Sequence, residues 1–279
     1  MNLRNVIAAL ASAALLTVVG ALHAAAQESV YDKVVASGKI VVGVTSEAPP
    51  FGFIDEKGEL AGFDIDIARL LAKSIFGDDD PKRIEFVKQG FAARWPNIES
   101  GKIDVGIQVT TIQPDRIMRV GFTRPYIDSD FVIVVRADSD IKSLSDLNNE
   151  KYTSALLTSP VQKVRADKYF PKAGQVVFDS TAAQFTAVKT NRVDAAQLDT
   201  PVARWYVKNN PEIRIIDERI SSPVNNAIFM KLGDFKWWQV LDTMVAEMTG
   251  GALFDQYADI YEKWFGERPK HAKYFVKQQ

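Results

Sequence analysis

The chain has 279 residues, with 34 Lys and Arg against 35 Asp and Glu, a formal net charge of −1 and no cysteine. This balance excludes the basic footprint of a nucleic-acid binder, and the missing cysteine excludes a disulfide framework, a thiol nucleophile and a lipid-anchored cysteine. The two histidines, His23 and His271, lie near the ends, so Ser-His-Asp chemistry and a His/Cys zinc site are excluded from the body of the chain.

Residues 1–26 read as a secretory signal peptide. One Arg in "MNLRN" and no acid are followed by the apolar core "VIAALASAALLTVVGAL", then by small residues at 24–26 before Gln27. An exported chain without cysteine points to a bacterial periplasm. Roughly 250 residues remain, enough for two domain cores. No later stretch is long and apolar enough to span a bilayer. No Gly-rich phosphate loop is present, and neither a cofactor nor a metal is expected.

The mature chain opens with "KIVVGV" (39–44), a β-branched buried strand. "APPFGFIDEKGELAGF" follows as a loop and hairpin, broken by Pro49, Pro50 and Gly58. "DIDIARLLAKSI" (64–75) has apolar residues at helical spacing, with Asp64 and Asp66 at its start, where the helix dipole favours acids. "RIEFVKQ" predicts a second strand, "ARWPNIESGK" a helix closed by Gly101, and "IDVGIQVTT" a third strand. The alternation predicts an α/β unit with a largely parallel sheet. The pattern then repeats. "DFVIVVRAD" (130–138) is a strand, "SLSDLNN" a short capped helix and "KYTSALL" a strand. Ser159-Pro160 opens a helix with a good N-cap. "GQVVFDS", the helix "TAAQFTAVKTNR", the strand "VDAAQLD", the helix "DTPVARWYVKNN" and the strand "NNAIFMKL" (225–232) complete it. The remainder predicts two helices around Gly250-Gly251.

Four motifs in order carry a family likeness. "GFDIDIARLLAKSI" (62–75), "VTTIQPDRIMRVGFTRPY" (109–126), "NRVDAAQLDTPVARWY" (191–206) and "YEKWFG" resemble the periplasmic amino-acid-binding proteins of ABC importers, the bacterial extracellular solute-binding proteins of family 3. The likeness runs from about Lys39 to Gly266. It implies the two-lobed periplasmic binding protein type II fold, with two α/β lobes joined by two hinge strands. Lobe one would be discontinuous (27–126 and 227–279), lobe two would span 131–221, and the hinge would lie at 126–130 and 222–226. It further implies a free amino acid as ligand, a membrane permease as partner and a monomeric state.

The resemblance also implies a site. Arg116 would grip the ligand's α-carboxylate, as a guanidinium does with two parallel hydrogen bonds and a permanent charge. Thr111 would add its N–H and hydroxyl, and the Val109 carbonyl would accept from the ammonium. Asp199, ending a strand of lobe two, would supply the ammonium's anion. Ser159 matches a position where a helix N-terminus meets the carboxylate, although Leu157 stands where relatives often carry Gly. Phe91 would stack on the ligand's carbon chain, and Phe51 either walls the pocket or packs the lobe. Bland readings stand beside these: a rim salt bridge for Arg116, a helix N-cap for Asp199, a core residue for Phe91. Arg94 in "ARWP" is the specificity candidate. A second cation suits aspartate or glutamate, unless Glu47 neutralises it and admits a neutral or basic ligand. A periplasmic dehydratase on the same fold is the enzymatic alternative, with Glu47 as its only spare acid. A sensory ectodomain, normally fused to a membrane helix, is a more distant one.

Overall fold

The computed structural model describes residues 28–221 and 223–269, so the expected signal peptide and His271 lie outside them. Helix α1 (Val30–Ser37) begins at Ser29, whose hydroxyl accepts from the Tyr31 N–H, and ends at Gly38. It leads into β1 (Ile40–Val44). A small antiparallel sheet follows, made of β2 (Glu47–Ala48), β3 (Gly52–Ile54) and β4 (Leu60–Ala61). Helix α2 (Phe63–Phe76), β5 (Ile84–Lys88), α3 (Arg94–Glu99), β6 (Val105–Gly106) and β7 (Val120–Ser129) complete the first pass.

The chain then builds a second unit. It comprises β8 (Phe131–Arg136), α4 (Leu144–Leu147), β9 (Thr153–Leu157), α5 (Pro160–Tyr169) and β10 (Gly174–Phe178). Helix α6 (Thr181–Lys189), β11 (Ala195–Asp199), α7 (Thr200–Asn209) and β12 (Ile213–Arg219) follow. The chain returns through β13 (Val224–Lys231) to the helices α8 (Phe235–Gly250) and α9 (Phe254–Phe265).

Two five-stranded sheets result, in the orders β5-β1-β6-β13-β7 and β10-β9-β11-β8-β12. In each, four strands run in one direction and one runs against them, β13 in the first sheet and β8 in the second. The chain passes between the sheets twice, after Ser129 and before Val224, and there the two passing strands pair: Val224 with Ser129, Asn226 with Ile127. This is the two-lobed architecture, and the sheet of lobe one takes strands from both ends of the chain.

Burial explains the elements. In α2, Phe63, Ile67, Ala68 and Leu71 are fully buried while Arg69 and Lys73 face solvent, and burying each large side chain is worth roughly 1.5–3 kcal/mol. Residue 62 has to be glycine: its φ is 139°, and a Cβ there would sit 2.2 Å from the Phe51 carbonyl oxygen. In lobe two, β8 alternates as period two demands. Phe131, Ile133 and Val135 enter one core, and Val132 and Val134 enter the core on the opposite face. The lobes meet through aromatics, with Trp205 of α7 lying 5.4 Å from Phe53 and 6.2 Å from Trp264 between ring centres.

Several expectations need correction. The third strand stops at Gly106 as a ladder, because Val109 takes a positive φ of 37° and breaks the extended run. Arg94–Glu99 is preceded by a 3₁₀ turn over Phe91–Ala93. Ser159 precedes α5, but its hydroxyl makes no capping bond; instead the Gln162 side chain takes the Leu157 N–H. Asp64 stands in the first turn of α2 as expected, and it is fully buried. Helix α1, strand β12 and the part of β7 before the expected hinge strand at 126–130 are elements that the sequence reading does not include.

Candidate functional site

The carboxyl ends of parallel strands in both lobes open onto one cleft, the usual binding edge of open α/β sheets. A cavity of about 160 Å³ lies there, small enough for a small ligand. Seven of the eight candidate residues line it: Phe91, Arg94, Val109, Thr111 and Arg116 from lobe one, Ser159 and Asp199 from lobe two. Phe51 does not. It is fully buried beneath the Pro49-Pro50 turn, against Phe63 and Phe265 at 6.2 and 5.8 Å, and so packs the lobe.

Arg116 follows a turn in which its N–H bonds Gln113 O, and its Nη1 donates to Thr111 O at 2.8 Å. Burial lowers its pKa, opposed by Asp115 and Asp199. Arg94 is 7% exposed. Its Nε donates to Phe91 O at 2.9 Å and its Nη1 to Thr110 Oγ1 at 3.0 Å. The guanidinium lies 5.0 Å from the Phe91 ring and 4.8 Å from that of Trp95, two cation–π contacts. Burial first, and the like charge of Arg116 second, bring its pKa down to about 9. Glu47 does not neutralise it: Glu47 is exposed, lies outside the cavity lining, and forms no ion pair with it.

Val109 keeps its unusual backbone through Asp64, whose Oδ2 accepts the Val109 N–H at 2.9 Å while Oδ1 accepts from Tyr126 Oη at 2.7 Å. Burial pushes the Asp64 pKa up to about 7, against the pull of those two hydrogen bonds. Thr111 begins a chain across the molecule. Its hydroxyl donates to Asn226 Oδ1, Asn226 Nδ2 donates to Ser129 Oγ, and Ser129 Oγ donates to Asp199 Oδ1, each at 3.1 Å. Asn226 and Ser129 stand on the two passing strands, so this chain joins the cleft walls. Asp199 precedes α7 without capping it through its side chain. Burial raises its pKa to about 6, opposed chiefly by Arg165 and then by Ser129.

Arg165 is the residue that sequence reasoning missed. It lies on α5, one turn after Gln162, with which it shares a face, and it lines the cavity together with Phe131. Its guanidinium carbon sits 3.4 Å from the Phe131 ring centre, and its Nε donates to the buried Gln197. Burial lowers its pKa to about 10. The i, i+3 spacing from Gln162 on the first turns of a helix entering the cleft was the available signal. Among the described residues no cluster suits a metal ion, and no helix is long and apolar enough to cross a membrane.

The lobes, the cleft and its arginines define an amino-acid-binding class of protein. Residues 40–267 match the bacterial extracellular solute-binding proteins of family 3, and the chain belongs to that family. The glutamine-binding protein of Geobacillus stearothermophilus is 33% identical over 192 residues, 68% of this chain and 72% of the relative. Arginine-binding protein 1 of an Escherichia coli ABC transporter is 30% identical over 188 residues, 67% of this chain and 74% of the relative. Among solved structures, an ancestral amino-acid-binding protein described as a precursor of cyclohexadienyl dehydratase superposes with a TM-score of 0.77 at 30% identity, covering 85% of this chain and all of that one.

Proposed function

We propose that the protein captures an acidic amino acid, aspartate or glutamate, in the periplasm and delivers it as a monomer to the permease of an ABC importer. One observation carries the ligand class. Arg94, Arg116 and Arg165 all face the cavity, and among the described residues none of them forms an ion pair. The acids lining the same cavity are Asp199 and the exposed Asp179. Desolvated charges without partners are costly, so a ligand with two carboxylates and one ammonium balances this cleft. An arginine-like ligand would add to the excess of positive charge.

In this reading Arg116 takes the α-carboxylate, with Thr111 and the N-terminal end of α5 at Ser159 beside it. The Val109 carbonyl and Asp199 receive the ammonium, Phe91 covers the hydrocarbon chain, and Arg94 adds the second buried cation. Contacts made from both walls favour the closed form. Calorimetric titration with glutamate, aspartate, glutamine and arginine tests this. The acidic ligands should bind at least about tenfold more tightly than glutamine, a difference of about 1.4 kcal/mol. Tighter binding of glutamine or arginine would remove the acidic reading and leave the family membership in place. A dehydratase would need an acid facing a leaving hydroxyl, and Glu47 stands outside the cavity lining. Prephenate and arogenate should therefore pass unchanged through a spectroscopic assay; product that vanished in Glu47→Gln would make the protein an enzyme.

A further inference from the structure

The three cleft arginines differ in how much of each guanidinium is already in use. Arg94 has Nε on Phe91 O and Nη1 on Thr110 Oγ1, and Arg116 has Nη1 on Thr111 O. Arg165 has only Nε engaged, on Gln197 Oε1, and neither of its terminal nitrogens has a partner among the described residues. A carboxylate is gripped best by two parallel N–H donors, and of the three arginines Arg165 keeps its whole outer edge for that purpose.

Its setting is built rather than accidental. The Phe131 ring fixes the plane of the guanidinium from one face. Gln197, fully buried, fixes its Nε side, and is itself held by Nε2 donating to Gln162 O and by its carbonyl accepting from the buried Gln184. Two side chains of lobe two, Phe131 and Gln197, thus hold one cation at the cavity, with the Gln162 main-chain oxygen fixing the Gln197 amide, close enough to Asp199 and Arg116 for each to act on its charge. A solvated surface arginine needs no such support. One ordered by stacking and by a buried amide loses little rotamer freedom when it binds.

We infer that Arg165 is a specificity-determining residue: from lobe two, its free fork receives the ligand's second anionic group, the side-chain carboxylate. This rests on the acidic-amino-acid reading and extends it. The ammonium contact to Asp199 is common to any α-amino acid, whereas the contact to Arg165 exists only for a ligand with a second negative group. Lobe two would therefore select for the acid, and closure would be favoured more by acidic than by neutral ligands.

The test measures glutamate, aspartate and glutamine binding by calorimetry to the wild type, Arg165→Met and Arg165→Lys, with ligand-free melting temperatures as the folding control. In Arg165→Met, glutamate or aspartate affinity should fall by about tenfold or more while glutamine affinity stays within about twofold. Arg165→Lys should recover part of the loss, because it restores the charge without the fork. If Arg165→Met keeps the wild-type glutamate-to-glutamine ratio, or weakens both ligands equally, the inference is wrong while the acidic reading stands. A wild type that already prefers glutamine sinks both. Should Arg165→Met fail to fold, Arg165→Gln, which keeps a polar head on a similar stem, is read by the same ratio.

Discussion

On the lobe-one wall, Arg94 and Arg116 donate to the main-chain oxygens of Phe91 and Thr111, and Val109 is pinned through its own N–H by buried Asp64. On the lobe-two wall, Arg165 and Asp199 rest on side chains, the amide of Gln197 and the hydroxyl of Ser129. Each arginine of the first wall rests on a main-chain oxygen within five residues, with the Thr110 hydroxyl and the Asp64 carboxylate added from farther along the chain. The second is ordered by side chains brought in from other strands. A grip common to a family of ligands fits the first kind of wall, since backbone geometry survives substitution. Discrimination among ligands fits the second, where single side chains can be exchanged without disturbing the fold.

The comparison breaks if the common grip is not on lobe one. Arg116→Ala should abolish amino-acid binding while leaving the melting temperature of the free protein nearly unchanged. Losing a buried charged partner costs about 3–5 kcal/mol, or two to four decades of affinity. Wild-type affinity in this variant, measured by calorimetry, would reject the assignment.

A smaller effect is expected at Arg94, which stands on the lobe-one wall and to which the proposed function gives charge balance. Arg94→Met keeps the stem against Phe91 and Trp95 and removes the charge, so the preference for glutamate over glutamine should shrink by roughly one decade. Binding through Arg116 should survive, visible as nearly unchanged glutamine affinity. Equal loss for both ligands would mean that Arg94 only supports the lobe.

The third test uses pH. Asp199 has a pKa raised to about 6 by burial, so in the free protein it holds its proton more tightly than an ordinary carboxyl, and it is neutral below that pH. An ammonium ligand favours the charged form. Affinity should therefore fall as pH drops through about 6, by about tenfold between pH 7.5 and 5, with proton release on binding near pH 6. Calorimetry in buffers of different ionisation heat reads the released proton. A flat profile that persists in Asp199→Asn would separate the ammonium from this carboxylate.

The smallest effect should come from the chain that joins the two walls. Asn226→Ala removes the link between Thr111 and Ser129 at a residue that does not itself line the cavity. A lost neutral hydrogen bond is worth about 0.5–1.5 kcal/mol, so affinity should weaken a few-fold and equally for glutamate and glutamine. A change in their ratio would show that the passing strands also set specificity.

The sequence by itself determined the lobe count, the alternation of strands and helices, the family, and most of the lobe-one wall. Strand and helix periodicity are local, and Thr111 and Arg116 stand five residues apart in one motif, so their relation survives without a structure. Tertiary structure decided the rest. From the sequence Phe51 either walls the pocket or packs the lobe, and its ring contacts with Phe63 and Phe265 put it in the core. Asp64 reads from the sequence only as an acid at a helix start, and the meeting of α2 with residue 109 and with β7 buries it. Arg165 carries no role in the sequence reading. Its place in the cleft depends on Phe131 and Gln197, which are 34 and 32 residues away in the chain. The link from Thr111 to Asp199 needs Ser129 and Asn226 side by side, and only the pairing of the two passing strands puts them there. Spacing along the chain reports contacts within a turn or a strand; which distant side chains share a wall is settled by sheet order, and that is a property of the folded chain.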